Sequence, residues 1–392
     1  SYAGTTRIDT GATLALTGTV GAGAVIANGA FDISGAAGDV TIANLSGGGT
    51  VSIGTNDLML GGDNLDSLFS GVIGGIGGLV KTGTGVLTLS GANRYTGLTS
   101  VQDGTLRLGA AGVLADDSTL EVLNGATLDM NGFDETVASF TIRGNLVGAG
   151  TLTAALYNFL GGTIDHDLGG GAIHQISGTT LLNGSSAGSA VHVEGGALVL
   201  GADDRLADTA LVTIASGATL DLQGFADTVG SLALAGVLNG TGTLTAGTYA
   251  LDGALVNANL GIGTLVQHSG LSLLNGTAAT EVVRVDGGTL RLGASDRLAD
   301  TSAVAVGTGA TLDLQGYSDT VASLALGITL AGTGTLTAGT YSLDSATVGA
   351  NLGAGTLVQH SGTSFLSGSA AAEVVRVDGG TLRLGASDRL AD

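Results

Sequence analysis

The sequence predicts an all-β chain, a parallel β-helix (β-solenoid) forming a single elongated rod. Three observations carry that expectation. The chain repeats itself at a long fixed period: "TLRLGA" at Thr105 returns as "ALVLGA" at Ala197 and again as "TLRLGA" at Thr289 and Thr381. A fixed long period marks a repeat architecture, in which each unit stacks on its neighbours. Within "TLRL" and "TLDL" the leucines stand two apart, so they share one strand face and leave the charged residue on the other. Glycine makes up 72 of 392 residues while proline, cysteine and tryptophan are absent, which reads as many short strands joined by tight turns.

Residues 1–104 use the same vocabulary at irregular spacing ("GATLALTG", "DVTIANLSG", "GTVSIGTNDLMLGG") and read as further coils. Three blocks follow, 105–196, 197–288 and 289–380, and 381–392 opens a truncated fourth, as expected of a piece of a longer array. Inside the third block a smaller unit recurs at Thr289, Thr311, Thr335, Thr356 and Thr381. Those positions divide the block into four nearly equal steps. That predicts four coils per block, each of three short strands and three turns. Adjacent coils lie about 4.8 Å apart, so Arg107 should sit beside Asp129 and Arg291 beside Asp313. Exposed pairs of this kind contribute about 0–1 kcal/mol, so they test register more than stability. "SDRLAD" (Ser295 to Asp300) is the best candidate for a short helical turn. Tyr157, Tyr249 and Tyr341 recur at the block period and read as corner packing.

A hydrophobic share of 44% and a positive mean hydropathy give the chain enough apolar surface to bury a core. The net charge is −21 and Lys81 is the only lysine, a balance that repels phosphate backbones and anionic lipid. Nucleic acid is therefore excluded as a partner. No apolar run is long enough to cross a bilayer, so the chain is not itself expected to be membrane-spanning. The absence of cysteine suits an exported chain.

Sugar-active β-helix enzymes need an acid and a base, or several carboxylates, converging on one face. The repeats show no unique acidic cluster, and aromatic residues are only 3%. No catalytic, cofactor-binding or metal-ligating residue is assigned. Asp165, His166 and Asp167 spell "DHD", but strand alternation sends the two aspartates to one face and the histidine to the other. His268 and His360 are repeat equivalents, while His174 and His192 complete the set of five histidines. "GADDRLAD" (Gly201 to Asp208), "GASDRLAD" (Gly293 to Asp300, Gly385 to Asp392) and "GGDNLD" (Gly61 to Asp66) place carboxylates in turns. Calcium is the cation such turns favour; the plainer reading is a capped turn with Arg205 and Asp208 paired across three residues. The tripeptides opening at Asn44, Asn239 and Asn275 match the glycosylation pattern by chance in so polar a chain.

Residues 77–109, "GGLVKTGTGVLTLSGANRYTGLTSVQDGTLRLG", carry one dense motif: Lys81, Gly83, Gly85, Leu87, Leu89, Gly91, Asn93, Tyr95, Gly97, Thr99, Gly104 and Leu106. This closely resembles the passenger-associated transport repeat, or autotransporter-associated β-strand repeat. Gly217 to Gly236 is similar to the segment that often follows it. One departure is that Leu206-Ala207 and Leu298-Ala299 stand where such proteins commonly carry Leu-Pro. The resemblance implies an adhesin-like passenger domain of a Gram-negative autotransporter: a right-handed parallel β-helix, exported across the outer membrane by a C-terminal barrel. It further implies display at the cell surface or secretion. The function it leads us to expect is a structural or adhesive rod whose repetitive surfaces serve cell adhesion, aggregation or biofilm. Its partner would be a host or bacterial surface receptor or glycan, or a second copy through self-association. A segment of a polymeric extracellular filament is the alternative, and a polysaccharide lyase or hydrolase ranks third.

Overall fold

The computed structural model describes residues 4–18 and 23–390. Among these, every regular element is a strand and the strands pair in parallel. The chain divides into two compact units, Ser1–Val191 and His192–Asp392.

In the first unit the early coils have three strands each. One coil runs through Ser67–Phe69, Val72–Gly75 and Leu79–Lys81, the next through Val86–Leu89, Arg94–Tyr95 and Leu98–Val101. Thr88 pairs with Leu68, Gly74 with Arg94, and Val80 with Ser100, so each side of a coil lies on the same side of its neighbour. Later in the unit two sides fuse into one long strand. Glu135–Ile142 pairs with Thr151–Phe159 along both halves, and the ladder skips Ala138 and Ala155. These small residues mark the corner, where the strand changes direction without a separate turn.

The second unit repeats this device twice. Ala226–Leu234 pairs with Thr243–Asp252, skipping Gly230 and Gly247, and Asp319–Leu326 pairs with Thr335–Asp344, skipping Ala322 and Gly339.

Fused corners shorten the coil and correct the expected spacing. Thr289 does pair with Thr311, as the tetrapeptide spacing requires. Thr311 then pairs with Thr329 rather than Thr335, Thr329 with Thr347, and Thr347 with Phe365, each a shorter step than expected. The tetrapeptides at Thr335 and Thr356 lie on the other sheet, in Thr335–Asp344 and Thr356–Ser361. A block therefore holds five coils, whose strands on this side are Gly288–Leu292, Ala310–Asp313, Thr329–Ala331, Thr347–Val348 and Thr363–Leu366. Four longer coils were expected because "TLxx" recurs on two different sheets. The expected helical turn at Ser295 to Asp300 is also absent: Leu298 makes a parallel bridge to Ala278.

The inward columns follow the alternation read from sequence. Leu198, Leu220, Leu238, Val256 and Leu274 stack in register, each 0% exposed. Burying one such side chain stabilises the fold by about 1.5–3 kcal/mol. Outside, the expected neighbours are present: Arg107 Nε lies 2.8 Å from Asp129, and Arg291 Nε 2.9 Å from Asp313.

Tyr157, Tyr249 and Tyr341 are fully buried, which bears out corner packing. Each hydroxyl also serves the backbone just ahead of the skipped corner residue. Ala246 N–H donates to Tyr249 Oη at 2.8 Å, and the hydroxyl donates to Leu244 O at 3.0 Å; Tyr157 and Tyr341 do the same with Ala154 and Leu152, and with Ala338 and Leu336. Gly263 closes the site at φ +143°, where a Cβ would lie 2.1 Å from Ala246 O and 3.0 Å from the Tyr249 ring. Tyr249→Phe leaves the Ala246 amide without its acceptor in a buried corner, while Leu244 O keeps the Gly261 amide at 2.8 Å, and a loss of about 1–3 kcal/mol is expected, read as a lower urea midpoint.

Candidate functional surface

Some of the carboxylates that looked like ligands, and others beside them, are engaged with the backbone of neighbouring coils. Asp66 accepts the Val86 amide at 2.8 Å, Asp203 the Ala226 amide at 2.7 Å, and Asp134 the Thr151 amide at 2.7 Å. In "GGDNLD", Asp63 accepts from the Leu65 amide and from Asn44 Nδ2. Val86, Ala226 and Thr151 each open a strand, and an ionised carboxylate is a strong acceptor for such an opening amide. Much of the chain's acidity thus faces N–H groups.

The "DRLAD" turns show the same arrangement, with a cap the sequence reading missed. Asp227 Oδ2 accepts the amides of Arg205 and Leu206, at 2.8 and 3.1 Å, and Asp319 Oδ2 accepts those of Arg297 and Leu298 at the same distances. Glu135 Oε2 does this for Val113 and Leu114. The three carboxyl groups are buried and recur once per block at equivalent positions. Arg205 Nε turns back to the Asp203 carbonyl of its own turn, so the cap comes from the following coil. The signal was present as "DETV", "ADTV" and "SDTV", an acid two residues ahead of an inward-facing valine and so on the same strand face.

Asp165 and Asp167 are exposed and His166 is buried, as alternation required. Asp165 accepts from Asn183, Asp167 from the Ser185 amide and hydroxyl, and His166 Nδ1 lies 2.8 Å from Asp167 O. The structure does not bring these three into one ligand set. His192 contacts the Thr213 hydroxyl at 2.6 Å, His174 is half-buried, and His268 and His360 are exposed at equivalent strand ends. Among the described residues, no group of three or more His, Asp or Glu is placed to hold a metal ion. The sequon asparagines are part of the stack: Asn239 donates to Asp221, Asn257 to Asn239, and Asn275 to Asn257, while Asn44 donates to Asp63.

Where the fused strands bend, the outer surface is concave. A groove of about 340 Å³ is lined there by Thr228, Thr245, Gly247, Ile262 and Glu281. The equivalent residues of the next block are Thr320, Thr337, Gly339, Ala354 and Glu373, so the same wall chemistry recurs except for one aliphatic residue.

The densest polar construction lies around Lys81, which is 1% exposed. Its ammonium group donates to the carbonyls of Thr82, Gly83 and Asp103 at 2.8, 2.6 and 3.1 Å, using all three of its N–H bonds. Burial pushes its pKa down, opposed by Asp103, Asp66 and Asp63 nearby. Buried Asn93 bridges three coils: its Oδ1 accepts the Ile73 amide at 2.9 Å and its Nδ2 donates to Val113 O at 3.0 Å. Tyr95 Oη and Thr99 Oγ1 lie 2.7 Å apart in the core. The stretch that contains them matches the passenger-associated-transport-repeat family over residues 79–108. These residues form a passenger-associated transport repeat.

The chain is also similar to the adhesin BmaC autotransporter of Brucella suis biovar 1 (strain 1330), at 31% identity over 226 residues. That alignment takes in 52% of this chain and 6% of the Brucella protein. An uncharacterized lipoprotein, YdeK, of Escherichia coli (strain K12) is 38% identical over 122 residues, 30% of this chain and 9% of that protein. The chain spans less than a tenth of either relative. No solved structure matches it. The transport repeat, the likeness to an autotransporter adhesin and the stacked parallel coils together make this a β-helix of autotransporter-passenger type.

The fold gives the transport repeat a physical role. Lys81, Asn93, Tyr95 and Thr99 are all buried, and the first three make hydrogen bonds across or within coils. Gly97 packs on the coil below, where a Cβ would meet Gly77 O at 2.3 Å. The repeat's polar residues therefore hold its coils together. In the later blocks glutamine takes over the donor role of Lys81: Gln175, Gln267 and Gln359 are buried and donate to turn carbonyls close by in the chain.

Proposed function

We propose that this chain is a surface-displayed or secreted structural and adhesive segment of an autotransporter-type protein. Its repetitive outer surfaces act in cell adhesion, aggregation or biofilm, after export across the outer membrane. The observation that carries this reading is the similarity of half the chain to an autotransporter adhesin. The geometry is in keeping with it. Polar side chains with catalytic or metal-binding chemistry are engaged in capping and bridging coils, as Asp203, Asp227 and Lys81 show. The groove beside Glu281, with its counterpart residues one block on, offers similar weak contacts more than once, which suits avidity rather than a single tight site. The receptor or glycan is a surface component of host or bacterial cells, and the chain works without a bound cofactor.

Beads coated with the purified chain test the reading against bacterial and epithelial cells. Saturable attachment above that of albumin-coated beads is the expected result. Attachment equal to albumin on both cell types, or release of reducing or unsaturated sugar ends from a polysaccharide panel, would overturn it.

A further inference from the structure

We propose that Glu135, Asp227 and Asp319 are three copies of a pH-responsive latch that tightens the coil stack when the medium becomes mildly acidic. The inference is independent of what the chain adheres to. Each carboxyl group is about 2% exposed and occupies an inward position of its strand. Each is in register with a leucine of the next coil: Glu135 with Leu152, Asp227 with Leu244, Asp319 with Leu336. Towards the preceding coil each accepts two consecutive turn amides through one oxygen. The latch thus joins a core strand to the turn of the coil before it, on the boundary between aliphatic interior and capped turn.

The charged groups around each latch are mostly of its own sign. Asp116 acts on Glu135, Asp204 on Asp227 and Asp296 on Asp319, each raising the carboxyl pKa. Tyr95 also lies within electrostatic reach of Glu135. Arg205 and Arg297 belong to the capped turns, but they give the latch their backbone amides. Their guanidinium groups donate to the carbonyls of Asp203, Ser295 and Asn275. Asp203 itself caps Ala226 next door. Burial and, to a smaller degree, these like charges oppose ionisation, while the amides favour it.

The balance falls on the side of the proton. Burial is the largest cause of the upward shift in all three groups, and it lifts Asp227 to about 6 from an ordinary 3.8. The folded chain therefore holds these protons more tightly than the unfolded chain does. The stabilisation is complete below the ordinary carboxylate range and is lost as pH rises through the folded value, near 6 for Asp227. A protonated carboxyl keeps a carbonyl oxygen to accept the two turn amides, so the latch stays closed when neutral.

Thermal unfolding of the full chain at about pH 7.5 and about pH 5 tests this, comparing the natural sequence with E135Q/D227N/D319N. The natural chain should gain several degrees in melting midpoint on acidification, and the triple variant should lose most of that gain, since its side-chain amide oxygens still accept the two turn N–H groups but do not titrate. Asp227→Asn alone, at the group whose value lies near 6, should lose a measurable part of it, which keeps the test decisive if the triple variant fails to fold. Asp208→Asn, an exposed carboxylate of the same turn, controls for net charge and should leave the gain intact. An equal gain in the natural chain and the latch variants, or no gain at all, would overturn the proposal.

Discussion

Leu220→Ala is expected to lower stability by about 2–5 kcal/mol, while Thr219→Ala, one residue earlier, should change it by no more than about 0.5 kcal/mol. Leu220 is 0% exposed and sits between Leu198 and Leu238 in an unbroken aliphatic column. Removing its branched end leaves a cavity bounded above and below by side chains that are themselves fixed by their own neighbours, so little collapse can fill it. Thr219 faces outward on the same strand. Stacked repeats unfold in pieces when a nearest-neighbour interface is weakened. The change should therefore appear first as faster amide exchange in residues 197–239, and then as an earlier urea transition. Equal effects at the two positions would mean that the alternation does not define inside and outside.

Lys81→Met should be nearly as damaging, at about 2–4 kcal/mol, although it replaces a charged residue by an apolar one of similar length. Burying an ammonium ion opposes folding, and its removal relieves that cost. Three carbonyls in part-buried turns, those of Thr82, Gly83 and Asp103, then lose their donor, and this loss is the larger effect. Lys81→Gln separates charge from hydrogen bonding. Buried glutamines already serve turn carbonyls at positions 175, 267 and 359, so this variant should lose about half as much as the methionine one. Urea unfolding of the three proteins side by side checks the order. A methionine variant as stable as the natural chain would show that the buried cation is dispensable for the transport repeat.

What the sequence revealed and what it hid follow from the periods involved. Side-chain alternation depends on a period of two within one strand, so the leucine columns, the opposite faces of Asp165 and His166, and the burial of the tyrosines could all be read locally. The Arg107–Asp129 and Arg291–Asp313 pairs were also legible, because at those coils the tetrapeptide spacing and the strand register coincide. Coil length was not. "TLxx" marks any strand with an inward leucine, and it falls on one sheet at Thr311 and on the other at Thr335. Following the tetrapeptide therefore crossed from one side of the coil to another. The fused corner that shortens the coil needs only a small residue such as Gly230 or Gly339, and glycine is too common here to stand out. The buried latches were missed for a related reason. Acid in a turn-rich chain reads as solvated, although its spacing of two from Val229 already placed Asp227 on the inward face, where it lies in register with Leu244.

Functional chemistry was legible mainly through one stretch, residues 79–108. Its conspicuous residues have structural duties, and the adhesive reading rests on the company the chain keeps in sequence and on the repetition of its outer surface.

The stacking register is the claim on which the rest depends, and the cysteine-free chain allows it to be tested by paired cysteines. Thr311 and Thr329 are partners on adjacent strands, and neighbouring strands lie about 4.8 Å apart, within disulfide reach. Under mild oxidation the T311C/T329C protein should form an intramolecular disulfide, seen as a monomer of altered mobility and a mass loss of two hydrogens. The T311C/T335C protein, whose positions lie on different sheets, should remain a dithiol. Cross-linking of 311 to 335 in preference to 329 would contradict the five-coil stack.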